Sequence, residues 1–491
     1  INYTLRLWLD YDATNEEAGG KVFKGKLRVE VTMLEGDPVS DTIVDNVGEN
    51  GSTYDDGTDT FITGTDPNNY IWYSGKLWRA VSINNEAKTT KLVTQWDIAS
   101  ISYGSYAGFS PSVDIYIFLN DATTVDGFLY NLRNYEDFIV TDAKWDASTD
   151  NNELGSIPKP KGKTVVTAPV GLLNTYEFQE SYRGTTSYNS YLNNGLSWWF
   201  LTPAETFKEY AITYVNNAEE YISVSKEDSS DEGYGVRPAI NLKSDIKIAS
   251  GSGTETDPYR LKGDDDTDLN GVKLNTRYSG EYIRFGNGKN NLYRIVSHET
   301  ENLTKITSAD PLKENGEFKT MEFDHEGDYR FYSAGNTIGS FLNGDYLNPS
   351  KKYLTSEQVN MIEDNTTWYL GNMYGTSYIK AKYSDTNMSS LTTSITTAKV
   401  GLLRYGELMS GQFDRYENNT EFWTLTANNN SAGGNVFSID NIGAVTYTGW
   451  KLFADLGIKP VMNLKENVVI TGGDGTKNNP FTIDLEMGST N

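Results

Sequence analysis

The chain has 491 residues, 37% hydrophobic and 13% aromatic, with no cysteine and a formal net charge of −25. One hydrophobic core stops growing at roughly 250–300 residues, so two or three domains are required. The acidity repels a phosphate backbone and excludes nucleic acid as a partner.

Absence of Cys removes disulfides, thiolate metal sites and thiol nucleophiles together, a usage that suits export into an uncontrolled redox environment. No run approaches the roughly 18 apolar residues of a membrane span. No charged-then-apolar leader opens the chain, and the start at Ile1 reads as a mature or trimmed product.

The first elements alternate apolar and polar residues. Tyr3, Leu5, Leu7 and Leu9 share one face, and Phe23, Leu27, Val29 and Val31 share another after a turn at 16–20. This predicts an amphipathic β-hairpin over 1–33, part of a sandwich whose apolar face needs a cover from elsewhere. Residues 34–59 turn to Gly, Asp, Asn, Ser and Thr and read as a linker.

An internal repeat follows. The block YIWYSGKLWRAV (70–81) matches YIRFGNGKNNLYRIV (282–296), and TKLVT (90–94) matches TKITS (304–308). Next come Phe118–Leu119–Asn120 with Phe341–Leu342–Asn343, Trp145 with Trp368, and VGLL at 170–173 with VGLL at 400–403. WWFLT (198–202) then matches FWTLT (422–426), VRPAINLK (236–243) matches IKPVMNLK (458–465), and GSGTETDPY (251–259) matches GDGTKNNPF (473–481).

Such ordered blocks at a near-constant offset mean duplication of a whole globular unit, the period being far too long for a solenoid. Copy one spans 60–262 and copy two 276–485, with an acidic linker at 263–275 and a tail at 486–491. The first blocks read as strands and the middle ones as helical, Thr355 to Gln358 being a capping box before Val359, Met361 and Ile362.

The paired aromatic motif followed by VRPAINL or IKPVMNL, with the GSGTETDPY turn, resembles domains of Gram-positive surface proteins with a C-type-lectin-like fold, shared with formylglycine-generating enzymes. The hairpin is similar to the last strands of an exported Ig-like domain. The resemblance implies an α+β fold class: two tandem C-type-lectin-like domains rich in short antiparallel strands, with loop-borne binding. The formylglycine-generating branch uses cysteines to hold copper, and this chain has none, so that activity does not carry over.

Candidate chemistry is sparse. His298 and His325 are the sole histidines and neither has a counterpart in copy one, which argues against a Ser/His/Asp site. Asp264, Asp266, Asp268 and Asn270 follow the order that wraps oxygens around calcium, but Arg277 stands where a bidentate Glu belongs. A solvated acidic linker is the favoured reading and a calcium clip the alternative; no other cofactor is implied.

Trp78, Trp198, Trp199 and Trp423 read as core. Trp72 is set apart because copy two has Arg284 in its place, which predicts an exposed, sugar-stacking ring.

The expectation is therefore a non-catalytic extracellular structural or adhesive surface protein, not an enzyme. Its partners would be other copies of itself in a filament, built when Phe481, Ile483 and Leu485 of a donor strand complete the hairpin of Leu5, Leu7, Leu9, Phe23, Leu27 and Val29. The alternative is a carbohydrate- or glycoprotein-binding module that takes cell-surface glycans.

Overall fold

The computed structural model describes residues 36–104, 108–148, 157–185, 189–203, 210–215, 220–224, 233–264, 266, 268–300, 302–325, 330–371, 395–413, 420–428, 435–446 and 451–486. The hairpin residues Leu5, Leu7, Leu9, Phe23, Leu27 and Val29 lie outside them. The fold is mixed α+β, mostly short strands in several small sheets with few helices.

Each copy builds a first sheet with the same strand order. In copy one it runs Tyr70–Tyr73, Lys76–Asn84, Thr90–Thr94, Ala239–Leu242, Val170–Gly171; in copy two it runs Tyr282–Arg284, Leu292–Ser297, Thr304–Ser308, Val461–Leu464, Val400–Gly401. A second sheet in each centres on the paired aromatic strand, Trp198–Pro203 or Phe422–Asn428. That strand pairs in parallel through Trp198 with Gly235, and through Phe422 with Gly457.

The repeated motifs carry the same bonds in both halves. Asn120 brackets Val170 by giving Nδ2 to its carbonyl and accepting its N–H, each at 3.0 Å; Asn343 does the same to Val400 at 3.1 and 3.0 Å. Trp145 Nε1 donates to the Ala168 carbonyl and Trp368 Nε1 to that of Ala398. The closing turns place Gly251 and Gly473 at positive φ, where a Cβ would stand 2.2 Å from the Pro258 or Pro480 carbonyl oxygen.

Thr355 and Gln358 form the expected capping box on the helix Ser356–Met361, and Phe118–Asn120 and Phe341–Asn343 end helices Asp114–Asn120 and Thr337–Asn343. The VGLL blocks, grouped with the helical ones, instead begin as two-residue strands because Val170 and Val400 pair with Ile240 and Met462.

Two further expectations are corrected. Segment 34–59 is not a linker throughout: the helix Val39–Asp45 buries Val39 and Ile43, and the hairpin of Gly51–Asp55 and Asp59–Gly64 joins Lys76–Asn84 at the edge of the first sheet. Its polar surface hides an i, i+4 apolar pair. The proposed donor strand is already used: Phe481 is buried and bonds the backbone of Tyr282 and Arg284, while Thr482–Leu485 pairs with Val468–Gly472. Ile483 and Leu485 pack half-buried against the chain's own core.

Gly36–Asn491 form one compact unit, so the copies are not strung as separate beads. Backbone bonds tie them: Ser197 N–H donates to the Ile442 carbonyl at 2.7 Å and Met409 N–H to that of Ile98 at 2.9 Å. Ser100 Oγ reaches the Gly443 carbonyl at 2.7 Å.

Candidate functional site at the junction of the copies

The turn after Tyr70–Tyr73 brings the copies into backbone contact. A Cβ on Gly75 would stand 2.5 Å from the Ser279 oxygen, and one on Gly280 would stand 2.2 Å from the Gly75 oxygen. Beside this contact Lys76 is fully buried, its Nζ donating to the carbonyls of Ser74 and Ser279 at 2.9 Å and of Asn131 at 3.3 Å. Burial, helped by the Arg294 charge, pushes its amine down to about 7, while three carbonyl acceptors match the three protons of its ammonium form.

Next to this seam lies a cavity of about 240 Å³. Trp72, Leu77, Trp96 and Ile98 of copy one and Tyr282 and Arg294 of copy two line it. The two closing turns meet at its mouth, where Asn478 Nδ2 donates to the Thr256 carbonyl at 2.8 Å. Glu255, Thr256, Lys477 and Asn478 are exposed there, so the cavity reaches solvent between them.

Trp72 is 3% exposed, which corrects the reading of it as solvent-facing, whereas its counterpart Arg284 is exposed. Its ring lies against Tyr282, centroids 6.1 Å apart and planes 32° from parallel; the copies cover it, not the sheet alone. Trp96 is half-buried. Trp78, Trp198, Trp199 and Trp423 are buried as expected.

Arg294 is 3% exposed. Its guanidinium sits 4.4 Å from the Tyr282 ring centroid and 4.7 Å from that of Phe413, within cation–π range of both. Nε donates to the Gly280 carbonyl at 2.8 Å and Nη2 approaches that of Gly75 at 3.4 Å.

The acidic segment 263–275 is folded against the seam. Asp264 is buried, accepts the Ser74 N–H at 2.9 Å, and burial drives its carboxyl up to about 7. Asp266 pairs with Arg133 and with Arg277; burial would raise it, but those hydrogen bonds hold it below the usual carboxylate range. Asp268 and Asn270 are exposed. The segment is thus not a solvated linker throughout, guanidinium groups stand where the alternative calcium clip would put its cation, and among the described residues no cluster of three or more His, Asp or Glu could hold a metal.

A second charged cluster spans the junction: Arg404 bonds Asp126 at 3.0 Å and Glu299 at 2.6 Å, and Lys305 bonds Glu299 and Glu407. Copy one keeps the Lys305–Glu407 pair as Lys91–Glu177. His298 places its ring nitrogens on the Leu303 and Arg277 carbonyls, with no hydroxyl or carboxylate partner among the described residues. His325 is exposed beside Glu322.

Residues 158–244 match a family described as a domain of unknown function, DUF6273. The match covers the VGLL, WWFLT and VRPAINLK blocks of copy one. No curated protein and no solved structure matches the chain.

Among the described residues no helix is long and apolar enough to cross a membrane. Trp96, Tyr282, Arg294 and Lys477 escaped the sequence reading, which compared copies for likeness; the pair Glu255 and Lys477, opposite charges at one repeat position, was the available signal.

Proposed function

We propose that this chain is a non-catalytic adhesive protein displayed outside the cell, whose junction cavity holds a single sugar ring. The cavity with Trp72, Trp96 and Tyr282 on its walls and polar groups at its mouth carries the reading. Flat apolar faces beside convergent polar groups suit a pyranose, which has an apolar face and a polar edge.

The cavity of about 240 Å³ falls below the roughly 300–1,000 Å³ of pockets for drug-sized ligands, which limits its occupant to one ring and not an extended chain. We read each copy as C-type-lectin-like on the aromatic-strand and VRPAINL or IKPVMNL blocks that both copies carry in one shared strand order. Lack of Cys and the charge of −25 favour life outside the cell.

The test is a glycan array probed with the intact protein and with Trp96→Ala, a half-buried side chain at the edge of the core. Glycans bound by the first and lost by the second, at equal melting temperature, are expected. An array silent for both would end the sugar reading.

A further inference from the structure

Repeat symmetry makes copy one a control for Arg294. Arg79 occupies the same place, over Tyr70 as Arg294 lies over Tyr282. Its fork is filled: Nε donates to Asn69 Oδ1 at 2.6 Å, Nη1 to Gln95 Oε1 at 3.4 Å and Nη2 to the Pro67 carbonyl at 3.2 Å, with Asp66 at 3.5 Å.

In copy two these partners are gone. Glu281 takes the place of Asn69 but turns to Arg277, Oε1 lying 2.6 Å from Nη2. Ala309 takes the place of Gln95, the register being fixed because the two N–H groups donate to Leu77 and Leu292 carbonyls, each at 2.9 Å.

Nη1 of Arg294 therefore has no hydrogen bond, and no carboxylate lies within ion-pair distance of this guanidinium, among the described residues. A guanidinium keeps its charge at any ordinary pH, and burying it without a counter-ion is costly. Lys76 places a buried amine close enough to feel the Arg294 charge. Tyr282 and Phe413 pack against the guanidinium and Arg294 lines the cavity, so the unbonded Nη1 is the group left for a ligand.

We infer that the ligand is an acidic sugar, a uronic or nonulosonic acid terminus whose carboxylate pairs with Arg294 while its ring lies along Trp72 and Trp96. The inference rests on the sugar reading above and adds the charge. Carboxylate is the planar anion that a guanidinium edge fits.

Carboxylated glycans printed beside their carboxyl-reduced counterparts test it, with sulfated and phosphorylated glycans alongside, for the native protein, Trp96→Ala and Ala309→Gln. The last variant rebuilds the copy-one arrangement, capping Nη1 while leaving Arg294 in place. Binding to a carboxylated glycan, absent for its reduced form and weakened about tenfold or more by Ala309→Gln, is the expected result. Arg294→Lys, which retains charge without the planar fork, should weaken it similarly and covers the case that Ala309→Gln fails to fold.

Equal binding to acid and reduced forms, lost in Trp96→Ala, would overturn the acid and keep the sugar. Binding confined to sulfated or phosphorylated glycans would likewise overturn the carboxylate. No binding to any of them would overturn both readings.

Discussion

Arg404 of the second copy sets Nη2 3.0 Å from Oδ1 of Asp126 in the first, two side chains at most 10% exposed and 278 residues apart. Glu299, Lys305 and Glu407 complete the buried group. Arg404→Met would leave three carboxylates there with Lys305, and removing one partner from a buried pair costs about 3–5 kcal/mol. Urea unfolding should show that loss; a loss below about 1 kcal/mol would mean the junction does not depend on the pair.

Buried acids give a pH signature. Burial raises Asp126 to about 6, against the pull of Arg404, and Asp264 to about 7. An acid whose folded value is raised binds its proton more tightly when folded, so its stabilisation is full below its unfolded value near 4 and is lost as pH rises through the folded value. Lys76 works in the opposite sense but only above about 7. Asp56 and Asp266, held below their usual range, weaken the fold only in stronger acid. The denaturation midpoint should rise as pH falls from about 7 to about 5 and drop below about 4; a midpoint flat over the upper range would remove the buried acids from the account.

The two copies should respond alike to one substitution. A Cβ on Gly171 would lie 2.3 Å from the Trp145 ring, and one on Gly401 would lie 2.7 Å from the Trp368 ring. Gly171→Ala and Gly401→Ala should each destabilise by about 1–3 kcal/mol through overpacking. Calorimetry that finds one harmful and the other neutral would show that the matched tryptophans are held differently.

Calcium should leave the melting temperature unchanged, because Asp264 and Asp266 are engaged by Ser74, Arg133 and Arg277. Arg277→Ala, by contrast, strips Glu281 and Asp266 of a buried cation and should cost about 3 kcal/mol. A calcium-dependent shift that chelator reverses would restore the cation at this loop.

What the sequence conveyed was local. The capping box at Thr355 and Gln358, the helices ending at Asn120 and Asn343, and the buried tryptophans follow from spacing within a few residues. The alternation of Phe481, Ile483 and Leu485 was visible too, but alternation identifies a buried face without naming what buries it, and here Val468–Gly472 and Tyr282 do so. Trp72 failed for the same reason. Its replacement by Arg284 implied exposure, yet Tyr282, more than 200 positions away, covers it. The cavity is legible only as differences between the copies, at Glu255 and Lys477 in the sequence and at Gln95 and Ala309 once the register is known.

Ser100 bonds Gly443, 343 residues later. At a synthesis rate of about 5–20 residues per second, the first half leaves the ribosome roughly 17–70 s before that carbonyl exists. Through that interval the Ile98 carbonyl, the Ser197 N–H and the Ser100 hydroxyl can bond only water or the first half itself. The junction is thus the last part of the molecule to close, whichever copy folds first.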